Sequence, residues 1–167
     1  VSSGETKCFE IATEWENAEY WCPANPKLYQ VKTGIYKNTE PLEITYERFG
    51  FREIWIDGQD LIMNGSPIHL FTDWGHKFTQ YHNTEGWIRK WFGMLKDCNM
   101  NHIRMFSHPH VKLNMEIADE EGIFVTGETA LNGAGCYLAA DEPEFWDNAR
   151  AHIERFVHRD KNHPSIV

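Results

Sequence analysis

Three short groups of polar and aromatic residues each follow a run that reads as a β-strand: Asp73, Trp74 and His76, then Arg104, Phe106 and His108, then Glu128 and Asn132. In folds built on a barrel of parallel strands, reactive side chains gather at the carboxyl ends of those strands. Arg104 brings a rigid fork of donors that can orient a carboxylate or form a purely structural salt bridge. Glu128 can accept hydrogen bonds from ligand hydroxyls. Trp74 can stack on the apolar face of a sugar ring, and plain packing uses the same indole equally well. Whether His110, Asn132 and the loop from Gly133 to Ala140 shape specificity is left open by the sequence. There is no HExxH, no paired cysteine and no Asp-x-Asp loop, so the expectation is no metal and no cofactor.

The elements that must hold these groups fall into two halves. Residues 1 to about 26 are polar with scattered aromatics and end in Trp21-Cys22-Pro23-Ala24-Asn25-Pro26, an extended or turning segment. Alternating apolar and polar residues predict strands over Lys27 to Tyr36 and, after a turn at Pro41, over Leu42 to Phe49. Asp57-Gly58 and Asn64-Gly65 favour the positive φ of tight hairpin loops, so Arg52 to Leu70 reads as strand, turn, strand, turn, strand. From there the period changes. Asn83 or Thr84 can cap a helix whose apolar face is Trp87, Ile88, Trp91, Phe92, Met94 and Leu95. Asn101 to Met105 reads as a strand, Val111 to Glu121 as a helix stopped by Gly122, and Ile123 to Thr126 as a buried parallel strand. A loop rich in Gly and Ala precedes a helix that starts at Pro143 and runs to about His158, and Ser165 to Val167 opens one more strand. Three βα units between Ile68 and Val167 therefore follow an all-β half. Two incomplete halves leave sheet edges bare, which weighs against folding in isolation.

With 41% hydrophobic and 25% charged residues over 167 positions, the chain has the balance of a globular protein with a core. Aromatics reach 14%, which suits a sugar-binding cleft and suits a thick aromatic core at least as well. A formal net charge of −9 argues against a surface built to neutralise phosphates, so nucleic acid is not an expected partner. Cys8, Cys22, Cys98 and Cys136 are too irregularly spaced for a disulfide framework or a zinc site. No apolar run is long enough to insert into a membrane, and no signal peptide is visible. Because the first residue is Val rather than Met, the compartment stays open between secreted, periplasmic and cytoplasmic. Oligomeric state is equally open.

The run Arg48-Phe49-Gly50-Phe51-Arg52-Glu53, with Leu61-Ile62-Met63-Asn64-Gly65-Ser66-Pro67-Ile68 after it, resembles the sandwich-to-barrel junction of glycoside hydrolase family 2. That family includes β-galactosidases, β-glucuronidases and β-mannosidases. The resemblance continues through His76, Asn99-Met100-Asn101-His102-Ile103-Arg104, Ala118-Asp119-Glu120-Glu121-Gly122-Ile123 and Glu128-Thr129-Ala130. It closes on Arg159-Asp160-Lys161-Asn162-His163-Pro164-Ser165-Ile166-Val167 and so covers roughly Pro26 to Val167. It implies an α/β fold with an all-β amino-terminal part. Residues 1–60 would be the carboxyl-terminal part of an immunoglobulin-like β-sandwich with its linker. Residues 61–167 would be the first three βα units and the start of strand 4 of a TIM (β/α)8 barrel.

The same resemblance implies that the parent protein hydrolyses terminal β-glycosidic bonds with retention, through a covalent glycosyl-enzyme intermediate. Substrate-binding residues would be His76, Arg104 and Glu128, with Trp74, His108 and Asn132 beside them. His76 would donate to a sugar hydroxyl, and Arg104 would position the nucleophile or its neighbours. Retaining chemistry needs two carboxyl groups about 5 Å apart, one protonated and one ionised. By the resemblance both lie beyond Val167, so the chain is expected to be a fragment that is inactive alone. Two positions depart from the family pattern: Gly127, where an Asp usually precedes Glu128, and Phe106, where many relatives have His. They favour the alternative of a non-catalytic carbohydrate-binding or structural relative. The spelling of Gly127 to Gly133 is nearer to glucuronidases than to galactosidases.

Overall fold

A computed structural model describes residues 4–75 and 81–167. The first half is built from two antiparallel units. β1 (Tyr29–Lys37) and β2 (Glu40–Phe49) form a hairpin. Its turn is not at Pro41. Asn38 makes it, at φ 58°, and Pro41 lies inside β2 opposite Tyr36, where the register shifts. Proline has no N–H to donate, and an irregularity in the ladder is where it is tolerated. β3 (Ile54–Asp57), β4 (Asp60–Met63) and β5 (Ser66–Ile68) form a meander. Asn64 and Gly65 both take positive φ, 48° and 80°, as a two-residue primed turn requires.

The second half alternates strands and helices. β6 (Thr72–Trp74), α1 (Glu85–Asp97), β7 (His102–Met105), α2 (Lys112–Glu121) and β8 (Phe124–Gly127) come first. α3 (Gly133–Ala139) and α4 (Pro143–Asp160) follow. The strands are parallel in the order β6-β7-β8, and Ile166 bridges in parallel to Val125. This is an open arc of barrel strands and not a closed barrel. No helix among the described residues is long and apolar enough to cross a membrane.

Three local expectations are corrected. The first parallel strand is Thr72–Trp74 and not the stretch through Leu70, because Ser66–Ile68 is taken up in pairing with β4. Asp73 and Trp74 therefore sit within a strand rather than after it. The segment read as a Gly- and Ala-rich loop contains α3, a short helix with no buried residue. At α1, Thr84 occupies the N-cap position, yet its hydroxyl donates back to the Tyr81 carbonyl at 2.7 Å and does not cap the helix.

One cluster forms the core of the second half, and another joins that half to the first. Ile88, Trp91, Phe92 and Leu95 of α1 pack with Ile103 and Met105 of β7, Met115, Ile117 and Ala118 of α2, and Val125 of β8. Trp21, Met63 and Phe124 form a second cluster, where the linker meets the barrel floor. Gly122 ends α2 at φ 69°, and a Cβ there would strike the Pro23 backbone. That position needs glycine for both conformation and space. Arg48 of β2 reaches across to α2, where it pairs with Glu120 and donates to the Glu116 carbonyl at 2.8 Å.

Candidate functional site

Strand alternation sorts the site. Ile103, Met105 and Val125 face the helices in the first cluster, so their neighbours His102, Arg104, Phe124 and Thr126 face the other way, into the arc. Register adds the rest: Thr72 pairs with His102, Trp74 with Arg104, and Arg104 with Thr126. Glu128 follows one step after β8, on the same inner face as Thr126. Trp74, Arg104 and Glu128 thus share the inner face at the carboxyl ends of three adjacent strands.

The side chains meet there. Arg104 Nε donates to Glu128 Oε1. The guanidinium lies 5.5 Å from the Trp74 ring centroid and 5.6 Å from that of Phe106. Those two rings stack at 5.3 Å and 12°. Trp74 is 51% exposed, and the side chains of Arg104 and Glu128 are 42% and 19% exposed, so a ligand can reach all three. The group offers an aromatic platform, a fork of donors and a carboxylate acceptor within one patch. Such a patch recognises a ring with an apolar face and hydroxyls at its rim.

The other expected residues are placed differently. His108, after β7, stacks on His110 with ring centroids 4.8 Å apart. Asn132 is the N-cap residue of α3, and its Nδ2 donates to the Ser107 carbonyl at 2.6 Å, tying the loop after β8 to the loop after β7. His76 lies outside the described residues. Gly127 closes β8 on the helix side, where a Cβ would come within 2.7 Å of the Phe156 ring of α4. The side chain missing at 127 would therefore have entered the helix layer and not the patch. Phe106 completes the aromatic stack with Trp74. Among the described residues, no group of three or more His, Cys, Asp or Glu could hold a metal ion.

Two polar arrangements escaped the sequence reading. His102 is only 4% exposed. It bridges the strands, with Nδ1 2.7 Å from Thr72 Oγ1 and Nε2 2.9 Å from Thr126 Oγ1. Burial holds its pKa down to about 4, so the ring is neutral at physiological pH. The signal available was its place two residues before Arg104 in a strand, which puts both on one face. The second arrangement centres on Asp119 of α2. It is buried, accepts from the Ser165 backbone N–H at 3.1 Å, and lies 2.6 Å from His163 Nδ1. The Trp21 indole donates to the Asp119 carbonyl at 2.8 Å, and Arg52 donates to the Ile166 carbonyl at 2.5 Å. Residues far apart in the chain thereby hold the approach to the next strand against β8. No local pattern marks such a pairing.

Parallel strands alternating with helices, and a cluster of polar and aromatic side chains at the strand ends, define the class: part of a (β/α) barrel. Residues 50–167 match the family described as glycosyl hydrolases family 2, TIM barrel domain, and residues 1–52 match glycosyl hydrolases family 2. The chain belongs to glycoside hydrolase family 2. It is 27% identical over 159 residues to a β-galactosidase of Leuconostoc mesenteroides, covering 91% of this chain and 15% of that protein. It is 28% identical over 180 residues to a β-glucuronidase of Streptococcus agalactiae, covering 98% of this chain and 30% of that protein. Among solved structures, the β-glucuronidase of Ruminococcus gnavus in complex with D-glucuronic acid superposes with a TM-score of 0.75 at 29% identity. That match covers 90% of this chain and 26% of the other. The chain thus spans less than a third of the length of each of these relatives.

Proposed function

We propose that the protein carrying this chain hydrolyses terminal β-glycosidic bonds with retention, and that these residues supply one wall of its sugar pocket. The observation that carries this reading is the shared inner face of Trp74, Arg104 and Glu128 at the ends of three neighbouring parallel strands. In the proposed pocket Trp74 packs on the sugar ring, and Glu128 accepts from a hydroxyl while held by Arg104. Arg104 keeps donors free to orient a further carboxylate, since a guanidinium carries five and the Glu128 contact uses its Nε. His108 and Asn132 stand on the adjoining loops, and His76 is assigned to sugar binding by the family resemblance alone. The family relatives named above act on galactosides and glucuronides by name, which supports a β-linked pyranoside as substrate. The acid/base and the nucleophile, two carboxyls about 5 Å apart in retaining enzymes, are proposed to come from residues beyond Val167. The 167 residues alone are then expected to be inactive.

The test is a panel of chromogenic β-galactoside, β-glucuronide and β-mannoside substrates offered to the full-length protein, with the anomer of the first-formed sugar read by NMR. Hydrolysis that releases the β-anomer first is the expected result. Release of the α-anomer first would overturn retention. Binding of a sugar without turnover of any glycoside would favour the carbohydrate-binding relative, the reading to which the Trp74–Phe106 stack gives some support.

A further inference from the structure

We propose that His102 is a positioning residue of this sugar site, holding the strand ends that carry Trp74, Arg104 and Glu128 at a set spacing from the layer beneath them. The inference rests on the glycosidase reading above. It comes from a two-layer correspondence across the strands. Thr72 stands two residues before Trp74, His102 two before Arg104, and Thr126 two before Glu128. Two residues of strand rise about 6.6 Å, and the side chains of i and i+2 share a face. Each member of the lower layer therefore lies under one member of the patch. The lower layer is joined side chain to side chain, with His102 in the middle and a threonine hydroxyl within hydrogen-bond distance of each ring nitrogen.

A histidine that merely filled the core would need partners but no particular ones. Here both partners come from the flanking strands, each two residues before the patch residue of its own strand. Apolar side chains could fill the same volume, as Ile103, Met105 and Val125 do on the other face. Hydrogen bonds add direction to that packing. A neutral imidazole has one N–H and one bare nitrogen, and a hydroxyl can serve either. One threonine therefore accepts while the other donates, and the two bonds tie the three strands in their present offset. The charged groups above it are Arg104 and Glu128, and a second cation directly beneath Arg104 would be repelled. Burial, which keeps the ring uncharged, removes that conflict.

The experiment uses the full-length protein and the aryl β-glycoside that it hydrolyses best. His102→Leu removes both hydrogen bonds. His102→Gln keeps one donor and one acceptor in a single amide group. Ile103→Val alters the same strand on its helix side. The expected result for His102→Leu is a fall in kcat of roughly ten- to hundredfold with a smaller change in KM, as a small misplacement of binding groups produces. His102→Gln should recover most of that loss, and Ile103→Val should leave both constants near wild type even if its melting temperature drops. A folded His102→Leu protein with unchanged kcat and KM would overturn the proposal, and so would a kinetic loss from Ile103→Val as large as that from His102→Leu. Should His102→Leu not fold, Thr126→Val removes one of the two bonds in a near-isosteric change. A severalfold lower kcat is then expected, and an unchanged one is fatal. A wild-type protein that hydrolyses no aryl β-glycoside instead removes the catalytic reading itself and the positioning role with it. An active wild type with unaffected variants refutes the role of His102 alone.

Discussion

Lowering the pH from 7 to 5 protonates His102 in the unfolded chain but not in the folded one. The unfolded imidazole takes its proton near pH 6.5, and the buried ring takes it only near pH 4. Between those values the unfolded state binds more protons, so stability rises with pH across that window and falls as pH drops through it. The full effect, reached below pH 4, is about 3 kcal/mol, since each pKa unit corresponds to about 1.4 kcal/mol. By pH 5 roughly 2 kcal/mol of it has developed, and at pH 7 almost none. Carboxylates contribute slopes of their own, so the comparison must be internal. His102→Gln keeps a donor and an acceptor but cannot titrate. Urea unfolding of both proteins at pH 7, 6 and 5 should show the wild type losing about 2 kcal/mol more than the variant by pH 5. Stability curves that fall in parallel would refute the claim that a neutral, buried imidazole bridges these strands.

Three further outcomes follow from the same contacts. Asp119→Ala leaves the His163 ring and the Ser165 N–H without their buried acceptor and should cost about 3–5 kcal/mol in urea unfolding. Gly127→Asp would push a carboxylate against the Phe156 ring in the helix layer, and a melting curve should show a loss of at least about 2 kcal/mol. Arg104→Lys should change stability by less than about 1 kcal/mol, because the pair with Glu128 is partly exposed. On the proposed glycosidase function, the same variant should lower kcat/KM of the full-length protein roughly ten- to hundredfold, the equivalent of one lost charged hydrogen bond.

The local code was strong wherever one short segment decides its own conformation. Asn64-Gly65 specifies a primed turn because both residues tolerate positive φ, and Gly122 stops α2 for the same reason. Apolar spacing in α1 and the Pro143 start of α4 are read from side chains only a turn apart. Arg104 and Glu128 stood out as candidates because each lies at the carboxyl end of a strand-like run, whatever the neighbouring strands do. What the sequence determined by itself was therefore the change from an all-β half to alternating strands and helices, most of the elements in it, and the family. Tertiary structure decided matters that depend on a partner. Thr72–Trp74 is a strand only because β7 pairs with it, and Ser66–Ile68 belongs to the meander only because β4 does. Phe106 joined the site by stacking on Trp74 from another strand, and Gly127 left it by facing Phe156. His102 between two threonines, and Asp119 facing a histidine 44 residues away, are contacts whose energy exists only once distant segments are packed and water is excluded.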